Sequence, residues 1–363
     1  MARWRVVAEF TIGPWSLVSA RLLAVGVVAY AVAAGFTARR GFAETRPDRY
    51  STLGTTATLA CLAVLLWVVG PRALPAPFAP ALLLVLVSSA VFSLAYTALQ
   101  LQRLVDRLRD ALPALPTAGP QDAETRRKTP HLLMGLILAS YAGIGHFIVL
   151  GLSRIGLGDP GEPRSNLLAA VAEPWPVSGH LVALWWVLFL LFALLPVELI
   201  RLRTPDAPFP FKRTILSRLR SREEGLMGAH IHMTAALATA WLLVAADPEQ
   251  WRTGIPACLA ILAVTVFADS ASALAGKRWG RRKWFHNRDK SWLGSAAGTA
   301  VAFLVCLPLL GAPVAVLAAA LFLLVDLLAP VPFPLSDNLL NPLGLAAVLV
   351  AAQGHIDPLL PWF

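Results

Sequence analysis

Apolar residues fill this chain in long, nearly unbroken runs. Runs close to the ~20 residues a helix needs to cross a bilayer recur at 15–36, 51–70, 74–99, 131–152, 179–200, 226–246, 254–276, 291–311, 312–330 and 339–353. The pattern predicts an all-α fold, a polytopic transmembrane helical bundle of about ten spans. The first run has no convincing cleavage site and many others follow it, so it is expected to remain as a span rather than be removed as a signal peptide. Composition agrees. Of 363 residues, 57% are apolar and 14% charged, against about 25% charged in soluble domains.

The net charge of +10 would suit nucleic acid, but its placement argues otherwise. Lys and Arg number four in 37–50, six in 100–130, seven in 201–225 and seven in 277–290, which is 24 of 31. The alternate connections, with the N-terminus, hold Arg3, Arg5, Arg72, Arg154, Arg164 and Arg252; Arg21 lies within the first run. By the positive-inside bias the four rich connections are cytoplasmic; an integral protein of a bacterial inner membrane with its chemistry on that side is expected. The excess is mostly topology, with some left for an anionic ligand or anionic lipid headgroups. Cys61, Cys258 and Cys306 all fall inside apolar runs without metal-ligand spacing and are expected to be small core residues.

The runs in 1–99 carry almost no buried polarity. Residues 100–130 break the pattern: QLQRLVDRLRDALPAL has Leu101, Leu104, Leu108 and Leu112 at helical spacing and is expected to lie along the interface. TAGPQDAETRRKTP then reads as a loop. Two parts are expected: a three-span bundle with its interfacial helix over 1–125, and a seven-span functional domain over 126–363.

An ionisable residue in lipid costs roughly 2.5–3.5 kcal/mol on insertion scales, so each demands a reason. Glu198, Asp269 and Asp326 fall inside apolar runs, and Asp337 lies just beyond one. On the topology above all four lie toward the basic side. Glu198 has Arg201 one helical step away. Asp269, Asp326 and Asp337 are candidate ligands for Mg²⁺, which prefers oxygen and is held by one or two carboxylates plus phosphate oxygens. Beside them lie Lys277, Arg278, Arg281, Arg282, Lys283, Arg288 and Lys290, cations suited to a polyphosphate. Gly276 and Gly280 would let backbone approach phosphate, although this spacing also serves helix packing. Lys290 and Ser291 open the next helix, whose N-terminus favours phosphate. Arg127, Lys128 and His131 would share one helical face, with His131 a candidate base toward a lipid hydroxyl or a phosphate ligand. His230 and His232 point to different faces, so a shared metal site is not expected; His146, His180, His286 and His355 are isolated.

At these residues the chain resembles the CTP-dependent lipid kinases, the family of dolichol kinase, phytol kinase and the yeast-type diacylglycerol kinase. Four blocks carry the likeness, over roughly 125–350: Arg127, Lys128 and His131 with Gly135; Glu224 and Gly228; Asp269, Ser272, Gly276, Lys277, Arg278, Gly280, Lys290, Ser291, Gly294 and Ser295; and Asp337, Asn338 and Pro342, preceded by Asp326. The family usually carries Glu at the positions of Leu293 and Asp326. The resemblance implies CTP as co-substrate with Mg²⁺, bound by the third block together with Asn338, and a lipid monophosphate as product. Catalytic roles would fall to Asp269, Asp337, His131 and Lys128. A cytidylyltransferase making a CDP-lipid uses the same nucleotide, but its Lys-Asp…His-Gly-Gly…Asp-Arg-x-Asp signature is not found near this C-terminus. An ion-coupled transporter would call for paired repeats and midplane acids, and no repeat is seen.

Overall fold

In a computed structural model, the residues described are 14–43, 49–73, 137–141, 147, 175–203, 225–245, 251–330 and 334–359. All their elements are helical, apart from a single bridge between Lys283 and Ser291. The helices are α1 (Pro14–Ala43), α2 (Arg49–Val68), α3 (Trp175–Arg203), α4 (Ala229–Val244), α5 (Trp251–Ala263), α6 (Asp269–Arg278), α7 (Trp292–Leu310), α8 (Ala312–Leu328) and α9 (Asp337–Ala351), with a short turn at Gly70–Ala73 after α2. A π-helical turn, Val264–Ala268, joins α5 to α6.

Among the described residues, five segments are long and apolar enough to cross a membrane: Leu17–Arg39, Arg49–Val68, Gly179–Leu199, Thr253–Arg278 and Trp292–Leu310. Three further apolar helices, α4, α8 and α9, have 16, 17 and 15 residues. Five of the ten expected spans are thus found among the described residues. Within the runs 226–246, 312–330 and 339–353 lie these three helices, each shorter than the ~20 residues of a full crossing. The run 74–99, most of 131–152 and the amphipathic stretch lie outside the described residues.

Local chemistry sets the helix ends near the future site. Ser291 caps α7, its Oγ accepting the Gly294 N–H at 3.1 Å. Gly311 ends that helix at φ 79°, a left-handed value that suits glycine. Ser336 caps α9 through the Asn338 N–H at 3.3 Å. The π turn inserts one extra residue just before Asp269 and so re-aims the face that follows, a device frequent at functional sites.

One apolar core runs through α1 to α5, the π turn and α7 to α9, with Trp241 and Phe322 among its largest fully buried side chains. The first helices belong to it. α2 buries Ser51, Thr52, Thr55 and Thr58 on one side, so the N-terminal runs are more polar inside than their composition suggests. Ser51 Oγ accepts the Ser336 N–H at 3.0 Å, and Thr55 Oγ1 meets His232 Nδ1. At Gly54 a Cβ would stand 2.7 Å from Leu339 Cδ2, so this glycine lets α2 lie against the start of α9. Cys258 and Cys306 are buried as expected, whereas Cys61 is exposed on the outer side of α2.

Candidate active site at one end of the bundle

The ends of α6 and α8 and the beginnings of α7 and α9 come together at one end of the bundle. Between them stands Lys290. Its Nζ donates to Asp326 Oδ1 at 2.7 Å and to Asp337 Oδ2 at 2.9 Å. Asp326 is 2% exposed and is held from the other side by Ser295 Oγ at 2.6 Å and Ser272 Oγ at 3.3 Å. Burial alone would lower the Lys290 ammonium, but Asp337, Asp326 and Asp269 outweigh it and hold the group above its ordinary value. Asp269, half-buried at the head of α6, thus shares in the field of the same cation.

The cationic loop is a tight hairpin. Trp284 N–H bonds to the Lys290 carbonyl at 3.2 Å, and Trp292 N–H to that of Arg282 at 3.1 Å. The two indoles stack with centroids 3.7 Å apart, and Trp284 Nε1 donates to Ser295 Oγ at 3.1 Å. Two side chains fasten the hairpin to the C-terminus of α8: His286 Nε2 to the Leu327 carbonyl at 2.9 Å, and Asn287 Nδ2 to that of Ala329 at 3.1 Å. These carbonyls have no partner within the helix, so the loop serves as its cap. Lys277, Arg278, Arg281, Arg282, Lys283 and Arg288 are left exposed around the cluster.

The candidate glycines lie at the crossing of α6 and α7. A Cβ on Gly294 would stand 2.7 Å from the Ser272 carbonyl and 3.0 Å from Gly276 Cα; one on Gly276 would meet Ser291 Oγ at 2.9 Å, and one on Gly280 would overlap Ser291. Their smallness brings the helix carrying Asp269 and Ser272 onto the one carrying Ser291 and Ser295. Asn338 sits in the first turn of α9, and its N–H meets Asp337 Oδ1 at 3.0 Å. Leu293 is exposed on the first turn of α7. His131 and Lys128, with Arg127, Gly135 and Glu224, lie outside the described residues.

A second polar cluster occupies the same end of the bundle. Glu198, fully buried near the end of α3, takes Arg201 Nε at 2.9 Å and Nη2 at 2.7 Å, and the Gly228 N–H at 2.6 Å. Arg201 also donates to the Leu226 carbonyl. The carboxylate therefore caps the glycine-started helix α4, which has no side-chain cap of its own. His230 Nε2 lies 3.7 Å from Glu198 Oε2. Beyond the pair with Arg201, the role of Glu198 as a cap was hidden from the sequence, because Gly228 is 30 residues away.

Oxygen donors at Asp326, Asp337 and Asp269 suit Mg²⁺ by chemistry. Among the described residues, no three acidic, histidine or cysteine side chains stand close enough to enclose a metal ion themselves. The arrangement fits an ion held by one or two carboxylates and completed by phosphate oxygens. Lys290 fills the space between the two carboxylates that would share it.

A family model for the cytidylyltransferase family matches residues 4–332. The chain belongs to the cytidylyltransferase family. This family includes CTP-dependent dolichol and phytol kinases, and its membership supports a CTP-using lipid enzyme in which Mg²⁺ is typical. The match takes in α2, Asp269, Lys290 and Asp326, and ends just before Asp337. No curated protein and no solved structure matched the chain.

Proposed function

We propose that the protein is a CTP-dependent kinase that phosphorylates the hydroxyl of a membrane-embedded lipid alcohol: an isoprenoid such as phytol, geranylgeraniol or a polyprenol of the dolichol type, or diacylglycerol. It would work at the cytoplasmic face of a bacterial inner membrane. The observation that carries this reading is the Lys290 bridge. It joins the two blocks that most resemble the lipid kinases, Lys290-Ser291 and Asp337-Asn338, beside six exposed cations and at the end of apolar helices.

In this reading the lipid hydroxyl oxygen attacks the γ-phosphorus of CTP. The new O–P bond forms as the bond to the β,γ-bridging oxygen breaks, CDP leaves with that electron pair, and the hydroxyl proton passes to Asp337 or Asp269. Phosphoryl transfer asks the protein mainly for positioning and charge. Lys277, Arg278 and their exposed neighbours would hold the phosphates, with the α7 N-terminus at Ser291 and Gly294 and the α9 N-terminus at Asn338 behind them. Gly276 and Gly280 would keep α6 close enough for that. Lys290 would turn from the carboxylates toward the transferred phosphate, and His131 and Lys128 would act from the 126–363 part. Asp269, Asp326 and Asp337 are the residues that would hold Mg²⁺, which would supply charge neutralisation on the triphosphate.

Purified protein in mixed micelles with Mg²⁺ and CTP labelled at either the γ- or the α-phosphate tests this, with isoprenoid alcohols, diacylglycerol and phosphatidic acid as acceptors. Label entering an alcohol from the γ position is expected, and the alcohol that takes it names the substrate. Label entering phosphatidic acid from the α position would make the protein a CDP-lipid synthase and end the kinase reading.

A further inference from the structure

α9 carries a second polar residue that the cluster around Lys290 does not use. Asn341 lies four residues after Asp337, which on a helix places the two side chains on one face with Cβ atoms about 5–6 Å apart. Asn341 is 4% exposed, and its Oδ1 is buried without a hydrogen-bond partner. The positions around it are apolar and buried: Leu339, Pro342 and Leu345. An acceptor left unpaired in such surroundings is costly, and native folds keep few of them. Leucine or valine would fill the position without that cost.

Whatever satisfies Oδ1 must be a donor. That argues against the triphosphate of CTP, whose oxygens near neutral pH are acceptors. The position is informative too. Asp337 opens α9 at the polar end of the bundle, and Asn341 lies one turn deeper, where that helix packs on α4 and α8. A lipid alcohol lying along these helices with its hydroxyl between Asp337 and Asn341 would meet both side chains, which stand one helical turn apart.

We propose that Asn341 is a positioning residue for the lipid: its side-chain carbonyl accepts the O–H of the lipid alcohol and sets the hydroxyl oxygen beside Asp337. The inference rests on the kinase reading. A hydroxyl keeps its proton until late in a loose phosphoryl-transfer transition state. An acceptor on the O–H side therefore leaves an oxygen lone pair free to face the γ-phosphorus, and the proton passes to the neighbouring carboxylate afterwards.

The test compares wild type with Asn341→Leu, which keeps the branched shape and removes the acceptor, and Asn341→Ser, which restores a short one. Five quantities are read: KM for the lipid alcohol, KM for CTP, Mn²⁺ binding, the unliganded melting temperature, and its rise caused by geranylgeraniol or diacylglycerol in micelles without nucleotide. Losing one neutral hydrogen bond should raise the lipid KM of Asn341→Leu about tenfold. The CTP KM should stay within about twofold, the alcohol-induced stabilisation should shrink, and the unliganded melting temperature should hold or rise because an orphaned amide is gone. Asn341→Ser should recover part of the lipid KM. An unchanged lipid KM, or parallel losses in both KM values with a lower melting temperature, would make Asn341 structural and overturn the proposal. Weaker Mn²⁺ binding in Asn341→Leu would make it a metal ligand, with the same consequence. The nucleotide-free stabilisation separates the two readings. If wild type moves only α-label, the kinase reading fails, while the Asn341 assignment stands or falls on whether its variant loses the response to alcohol.

Discussion

Removing the Lys290 ammonium tests the centre of the site most directly. Lys290→Met keeps the apolar stem and deletes the charge. Asp326 would then be a carboxylate 2% exposed whose only remaining close partners among the described residues are the hydroxyls of Ser272 and Ser295. Breaking a buried pair by removing one partner costs about 3–5 kcal/mol. The two serines soften that, and Asp337, with its side chain 24% exposed, turns to water at little cost, so the low end applies, about 3 kcal/mol. On the scaling for large domains this is a fall in melting temperature of roughly 6–12 °C. Thermal unfolding in detergent, followed by the fluorescence of the 12 tryptophans, measures it.

Adding Asp326→Asn to Lys290→Met removes the stranded charge and should restore about 2 kcal/mol, so the double-mutant cycle should be strongly non-additive. The sign with pH also follows. The carboxylates hold the ammonium above its ordinary value, so its contribution is complete below the unfolded-state value and is lost only as pH rises through the raised one. The stability gap between wild type and Lys290→Met should be flat from about pH 7 to 9. A gap under about 1 kcal/mol, or additive single substitutions, would refute the bridge as the organiser of this end of the bundle.

Other substitutions separate packing from chemistry. Gly294→Ala would drive a methyl into the Ser272 carbonyl at 2.7 Å; overpacking of this kind costs about 1–3 kcal/mol, and thermal unfolding together with lipid labelling should show stability and activity falling in step. Asp269→Asn should abolish transfer, at least about 100-fold on the scale of lost catalytic groups, while size-exclusion profile and melting temperature stay near wild type; retained activity would remove Asp269 from the mechanism. Glu198→Gln should cost about 3–5 kcal/mol through the stranded Arg201 yet leave the KM for CTP nearly unchanged in the labelling assay. Mn²⁺ titration followed by electron paramagnetic resonance should find tighter binding to Lys290→Met than to wild type, because the competing cation between Asp326 and Asp337 is gone.

How much of this could be read beforehand depended on the distance along the chain over which each feature is decided. Helices such as Arg49–Val68 and Trp292–Leu310 are written in local apolar length, and the gathering of Asp326, Asp337 and Asp269 at one end followed from counting alternating helices. The pair of Glu198 with Arg201 is three residues apart and was legible as well. The partner of Lys290 was not. Its carboxylates lie 36 and 47 residues away, and choosing them over a phosphate requires knowing that α8 and α9 flank the start of α7, which apolar length does not encode. For the same reason the hydroxyls of α2 looked idle, although Ser51 and Thr55 meet Ser336 and His232 across 285 and 177 residues. Gly276 and Gly280 show the remaining difficulty. Close approach to phosphate and close approach of helices both demand a missing side chain, so one spacing fits both. In the folded chain the space beside them is taken by Ser291 and Gly294, and any service to phosphate is indirect, through how near they let α6 come to the capped end of α7.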